Sequence, residues 1–232
     1  MSVDTPTGTR TGFSAELWEQ ITPSFEAILA HPFLAGIVDA SLEPERFVYF
    51  IEQDAMYLRA YSRALSYTAG HAERPADTVL FTSSASRAIA VEQGMHAELL
   101  QGFGVDPSAP ALTALSPSGA LYVNAILRHT AAGPFSQAVA SVLACFWIYA
   151  EVGKVLIEQG SSDPRYQRWI DTYGDPAFAA TVDGVLELVD RLGTEVGDVE
   201  RERMAAIFRQ GCRMEWMFWD AAWRGETWPI EI

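Results

Sequence analysis

The stretch Ser141-Val142-Leu143-Ala144-Cys145-Phe146-Trp147-Ile148-Tyr149-Ala150-Glu151-Val152-Gly153 is an apolar helical run with a single thiol, Cys145, in its middle. At about 100° per residue, Cys145 and Tyr149 share one helical face with Val142 and Val152 close by, whereas Trp147 and Glu151 point elsewhere. A cysteine in an apolar helix is commonly a small packing residue. It becomes a candidate nucleophile only if other parts of the chain supply groups that work with it.

Breaks flank this helix: Gly133-Pro134 before it and residues 160 to 164, Gly-Ser-Ser-Asp-Pro, after it. Upstream, residues 120 to 132 read as a helix with Tyr122, Ile126 and Leu127, and with His129 on the surface. Residues 104 to 119 are rich in Pro, Ser and Gly and read as a long loop of the kind that borders sites. Residues 78 to 103 read as a long helix carrying Glu92 and His96, an i, i+4 pair suited to a shared hydrogen bond or a shared metal. Gly70 to Asp77 reads as a turn. A helix from Pro44 to Gly70 carries Asp54, Tyr57 and Tyr61 as a polar stripe on an element otherwise built for burial. The first helix is capped by Ser14, follows the 3.6 period through Leu17, Trp18, Ile21, Phe25, Ile28 and Leu29, and holds Pro23 as a possible kink. Residues 1–12 read as a flexible leader and 13–232 as one domain.

Downstream, a short helix through Tyr166, Trp169 and Ile170 ends at Tyr173-Gly174, and a further helix runs from Pro176 to Leu192. The last runs from Val199 to Trp223. It carries Glu215 among Met214, Trp216, Met217, Phe218 and Trp219, surroundings that would raise a carboxyl pKa if they bury it. No alternating strand pattern and no period of 20 to 50 residues is present, so the fold class is an all-α bundle. Gly-x-Gly-x-x-Gly, P-loop and Cys-x-x-Cys patterns are absent, which argues against dinucleotide, nucleoside triphosphate and zinc-finger chemistry.

The 232 residues, 49% of them hydrophobic, suffice for one well-filled core. With 30 acidic against 16 basic residues the net charge is −14, which repels nucleic acid and anionic membranes and points to a neutral or cationic partner. Two cysteines, a polar start and the lack of an apolar stretch of 18 residues argue against a signal peptide, a membrane span or a disulfide framework. The expected compartment is the reducing cytoplasm, with Cys145 and Cys212 unpaired.

Taken in order, Gln53-Asp54-Ala55-Met56-Tyr57-Leu58, Ser116-Pro117 followed by Tyr122, the Cys145 to Gly153 run, Tyr173-Gly174 and Glu215-Trp216-Met217-Phe218-Trp219 resemble the TenA/thiaminase II family over nearly the whole chain. The resemblance implies a single-domain haem-oxygenase-like helical bundle, a homotetramer, and a pocket for the aminopyrimidine part of thiamin or its breakdown products. By position, Cys145 resembles the family's nucleophile and Glu215 its acid/base, and Asp54 resembles the carboxylate that binds the pyrimidine amino group and ring nitrogen. Tyr57, Tyr122, Tyr149, Tyr173 and Phe218 fall where the family places aromatics that stack on the ring or hydrogen-bond the catalytic groups. The cysteine places the chain with the family's cysteine type. No cofactor and no metal are implied.

The residue chemistry agrees. Protonation of a ring nitrogen makes an electron-poor pyrimidine an electrophile, so a buried neutral carboxyl group can activate it for addition of a thiolate. Tyr149, one turn from Cys145, could hold the thiol by its hydroxyl. No Lys, Arg or His stands beside Cys145 in sequence, so the origin of the thiolate is unexplained at this level. The expected activity is hydrolysis of 4-amino-5-aminomethyl-2-methylpyrimidine to the hydroxymethyl pyrimidine and ammonia, with thiamin as a slower substrate. Two other readings stand beside it. One is a haem-oxygenase-like di-iron oxidase using Glu92, His96, Glu151 and Asp54; the other is a non-catalytic pyrimidine-binding protein.

Overall fold

The computed structural model describes residues 10–105, 112 and 114–230, without the side chains of 91–93 and 95–97; the leader expected at residues 1–12 lies mostly outside them. The elements are α1 (Phe13–Leu29), α2 (Pro32–Val38), α3 (Pro44–His71), α4 (Pro75–Gly102), α5 (Pro117–Ala132), α6 (Phe135–Gln159), α7 (Pro164–Asp171), a 3₁₀ turn (Thr172–Gly174), α8 (Pro176–Glu195) and α9 (Asp198–Arg224). No strand occurs among the described residues.

Six of these helices open on a proline, where the missing N–H would have had no helical acceptor and the fixed φ already suits the helix. This moves two expected boundaries. α4 starts at Pro75 rather than at 78, and α5 starts at Pro117, inside the stretch read as loop, because Ser116 Oγ accepts from Gly119 N (3.1 Å) and caps it. α2 was not anticipated from the sequence. Its seven residues are too few to display a helical period, yet Phe33, Leu34 and Ile37 are buried and His31 Nδ1 caps it by accepting from Phe33 N (3.2 Å).

Ser14 does not cap α1. The helix begins at Phe13, and Asp190 of α8 does the capping instead, accepting from Ser14 N (2.6 Å) and Ser14 Oγ (3.0 Å), which sets a carboxylate at the positive end of the helix. Gly12 permits this approach: its φ is +105°, and a Cβ there would sit 2.8 Å from Asp190 Oδ1. Pro23 lies inside an unbroken α1, and the bend comes later, at Ala30 and His31, with 58° between α1 and α2.

α6 is the core helix. It is long and apolar enough to cross a membrane by length and composition, against the expectation that the chain has no such stretch, but 67% of its most apolar 18 residues is buried among the other helices. Trp147 packs between Trp18 of α1 (ring centroids 4.7 Å) and Phe208 of α9 (5.7 Å). On the other side Phe50 of α3 stacks on Trp219 of α9 at 4.8 Å, and Trp169 of α7 closes edge-on against both. α6 and α9 approach closely beside Cys145, where Gly211 faces Ala144 so tightly that a Cβ on the glycine would lie 2.8 Å from the alanine Cβ.

Candidate active site

A cavity of about 170 Å³ opens beside Cys145, walled by α3, α4, α6, α7, the 3₁₀ turn and α8. Asp54, Tyr61, Cys145, Tyr149 and Tyr173 open onto it. Asp54 and Tyr61 come from α3 at helical spacing, so the polar stripe seen in the sequence turns inward rather than to solvent. Gln53, next to Asp54, anchors the neighbouring loop by donating to Ala114 O (3.2 Å) and accepting from Ser116 N (2.8 Å). Tyr149 and Tyr173 stack nearly parallel (6.2 Å, 24°), and Trp169 meets Tyr173 edge-on. Gly153 makes room for that arrangement: a Cβ there would come within 2.6 Å of the Tyr173 Cβ.

Glu215, Tyr57, Tyr122 and Phe218 form a layer behind this wall, and none of the four lines the cavity. Glu215 is 1% exposed, and the Tyr122 hydroxyl donates to its Oε1. Burial pushes the Glu215 pKa up to about 8; the nearby Asp54 charge adds to the rise and the Tyr122 hydrogen bond opposes it. At neutral pH Glu215 therefore carries its proton, the state a general acid needs. Tyr57 packs against Tyr122 (5.1 Å), Phe218 (5.6 Å) and Tyr61 (5.5 Å, stacked). Burial raises the pKa of each of these tyrosines well above the usual range, so their hydroxyls remain protonated donors.

Burial also raises the Cys145 thiol pKa well above its ordinary value, with Glu215 and Asp54 contributing when charged. The hydroxyls of Tyr57 and Tyr61 act in the opposite sense. Tyr149 was expected to hold the thiol, but its ring is drawn into the stack with Tyr173 and against Trp219 (5.3 Å), and the hydroxyls beside the sulfur are those of α3. Among the described residues the one cation on the cavity wall is Arg87, which pairs with Asp175. Cys145 and Cys212 are both free.

Several residues of the cavity went unassigned from the sequence. Tyr61 was visible in the stripe, one turn after Tyr57, but it was given no role. Arg87, Ser84, Phe178 and Thr181 reach the wall from α4 and α8, whose own sequences hold no motif, so only helix packing reveals them. His129 is half-buried rather than on the surface, and burial lowers its pKa. Glu151 is buried and turned to Lys154 (2.9 Å). No group of three or more His, Cys, Asp or Glu able to hold a metal occurs among the described residues, and the side chains of Glu92 and His96 lie outside them.

Residues 18–225 match the sequence model of the TENA/THI-4/PQQC family. The aminopyrimidine aminohydrolase of Bacillus subtilis strain 168 is 30% identical over 216 residues, which cover 93% of this chain and 92% of that protein. The solved structure of a TenA homologue from P. horikoshii OT3 superposes with a TM-score of 0.83 at 24% identity, covering 93% of this chain and all of its own. A domain of unknown function with a heme oxygenase-like fold from Shewanella denitrificans OS217 superposes at 0.68 and 13% identity, covering 91% of this chain and 92% of its own. These two structures share the fold, and the haem-oxygenase-like bundle expected from the sequence is the architecture observed.

Proposed function

The chain belongs to the TENA/THI-4/PQQC family, and from that premise we propose that it is an aminopyrimidine aminohydrolase of thiamin salvage. It converts 4-amino-5-aminomethyl-2-methylpyrimidine to the hydroxymethyl pyrimidine and ammonia, and cleaves thiamin to the same pyrimidine and the free thiazole. The observation that carries this reading is the placement of a buried, neutral Glu215 behind a cavity onto which Cys145 and Asp54 both open.

In this reading Asp54 accepts hydrogen bonds from the pyrimidine edge, and Tyr149 and Tyr173 offer flat faces to the ring. Glu215 gives its proton to a ring nitrogen while the Cys145 sulfur forms a bond to a ring carbon, and the thiol proton returns to the Glu215 carboxylate. The electrons of the adduct then expel the group on the exocyclic methylene, either the amine, which takes the Glu215 proton and leaves as ammonia, or the thiazole, which leaves neutral. Water adds to that methylene carbon and gives up a proton, to the Glu215 carboxylate in the first case and to solvent in the second. The carbon–sulfur bond breaks, the ring-nitrogen proton passes to the sulfur, the ring regains its aromaticity, and the thiol is restored. Glu215 thus alternates as acid and base, and the steps need no electron acceptor.

The reading also takes the protein to be a cytoplasmic homotetramer without a membrane or nucleic-acid partner; the free thiols accord with a reducing compartment and the charge of −14 disfavours nucleic acid and anionic membranes, while the tetramer rests on the family resemblance. Incubation with the aminomethyl pyrimidine and with thiamin, following ammonia and thiazole release, tests the activity. Turnover of the amine with the higher kcat/KM is the expected result. Tight binding of the hydroxymethyl pyrimidine without turnover of either compound would instead make the chain a pyrimidine-binding protein.

A further inference from the structure

The mechanism above needs a thiolate, yet among the described residues the one cation on the cavity wall, Arg87, is paired with Asp175. From α9, α3, α5 and the 3₁₀ turn, the groups facing Cys145 are Glu215, Asp54, Tyr57, Tyr61, Tyr122 and Tyr173, and Tyr149 faces it from its own helix. Even though Glu215 can accept the thiol proton once it has protonated the ring, the charge on either carboxylate disfavours a neighbouring thiolate. The hydroxyl hydrogens therefore decide what can stabilise it.

Three of these hydroxyls differ in what engages them. The Tyr122 hydrogen is engaged by Glu215. The Tyr61 hydroxyl donates to Val142 O at 2.8 Å, but that carbonyl lies in the interior of α6, where it already accepts the helical N–H of Phe146. A carbonyl oxygen has two lone pairs, so turning the Tyr61 hydrogen away leaves it satisfied. The Tyr57 hydroxyl is buried and closes no hydrogen bond of normal geometry, although it stands beside both the sulfur and Tyr122. A buried donor without an acceptor is uncommon and calls for a reason.

We propose that Tyr57 and Tyr61 form a two-hydroxyl cradle that stabilises the Cys145 thiolate: Tyr57 holds its hydrogen uncommitted for the sulfur, and Tyr61 swings from the Val142 carbonyl to the sulfur when the thiol proton leaves. This rests on the reading of Cys145 as nucleophile. It assigns Tyr61 a role and changes that of Tyr57 from a substrate-facing aromatic to a donor. The two rings stack at 5.5 Å and 16°, one turn apart on α3.

The test measures the thiol itself. The rate of iodoacetamide alkylation at Cys145, followed by mass spectrometry of its peptide between pH 6 and 10, gives the fraction of thiolate in wild type, Tyr57→Phe and Tyr61→Phe. Each variant should be alkylated on the order of tenfold more slowly at a given pH, with its profile displaced to higher pH, because a hydrogen bond to a charged group is lost. kcat should fall in step while the Kd for the hydroxymethyl pyrimidine changes little. Tyr57→Phe removes a hydroxyl that bonds nothing in the resting state, so it should fold normally even if Tyr61→Phe, which loses the tie to Val142, does not. An unchanged alkylation profile in folded Tyr57→Phe overturns the cradle. Turnover by Cys145→Ser at near-normal rate would instead overturn the nucleophile, a separate result.

Discussion

Glu215 is where residue-scale chemistry is most exposed to test. Its folded pKa of about 8 stands above the 4.5 of an ordinary glutamate, so the stability tied to its protonated form is fully present below 4.5 and is lost as pH rises through 8. Glu215→Gln cannot ionise and should escape that loss. Thermal unfolding midpoints across pH 5 to 9 should fall more steeply for wild type than for the variant, and parallel curves would contradict the burial of an ionisable group there. Activity should fall on the same alkaline limb as the acid loses its proton, and Glu215→Gln should lose about 10² to 10⁴ in rate while still binding product. Cys145→Ser should also bind product and lose most turnover, since serine without an adjacent base is a much weaker nucleophile. Asp54→Asn should differ from both. Its amide sets a donor against the pyrimidine edge, and calorimetry should register a loss on the order of 1–3 kcal/mol in product binding.

At the scale of elements, two glycines set how closely the site can close. Gly153 lets the 3₁₀ turn lay Tyr173 onto α6, and Gly211 lets α9 approach α6 one residue from Cys145 and one turn from Glu215. Gly153→Ala gains helix propensity but drives a methyl group into the Tyr173 side chain, an overpacking worth about 1–3 kcal/mol. The expected result is a raised KM with kcat less affected, because the clash falls on Tyr173 at the cavity wall, about two turns along α6 from Cys145. A variant with wild-type KM would show that Tyr173 does not contact substrate. A proline at the first position made the helix starts at Pro44 and Pro176 legible, whereas Pro75 and Pro117 stand in stretches that read as turn and loop, and the start at Pro32 was not anticipated. A start was also misjudged where it depended on another helix, as with Asp190 serving α1.

At the scale of the whole molecule, Tyr67, Val79, Leu121, Ile157 and Val199 remain exposed on the single chain. Light scattering is expected to return about four times the 25.5 kDa of one chain if the proposed tetramer forms, and a mass of one chain would refute it. Turnover should also withstand a chelator, since a nucleophile and an acid/base suffice. Loss of activity in EDTA restored by iron would favour the oxidase reading.

The sequence by itself determined the helical class and every helix but the seven-residue α2, because 3.6-residue periodicity is a property of contiguous residues, while Asp54, Cys145 and Glu215 were singled out by the motif order and spacing that resemble the TenA/thiaminase II family. Only the tertiary structure decided what stands next to what. It put Glu215 out of contact with water, set Tyr57 and Tyr61 rather than Tyr149 beside the sulfur, and brought α4 and α8 to the cavity wall. Those outcomes depend on the packing of helices far apart in the chain, and the desolvation that raises a pKa is the joint effect of every neighbour at once. No window of consecutive residues contains it.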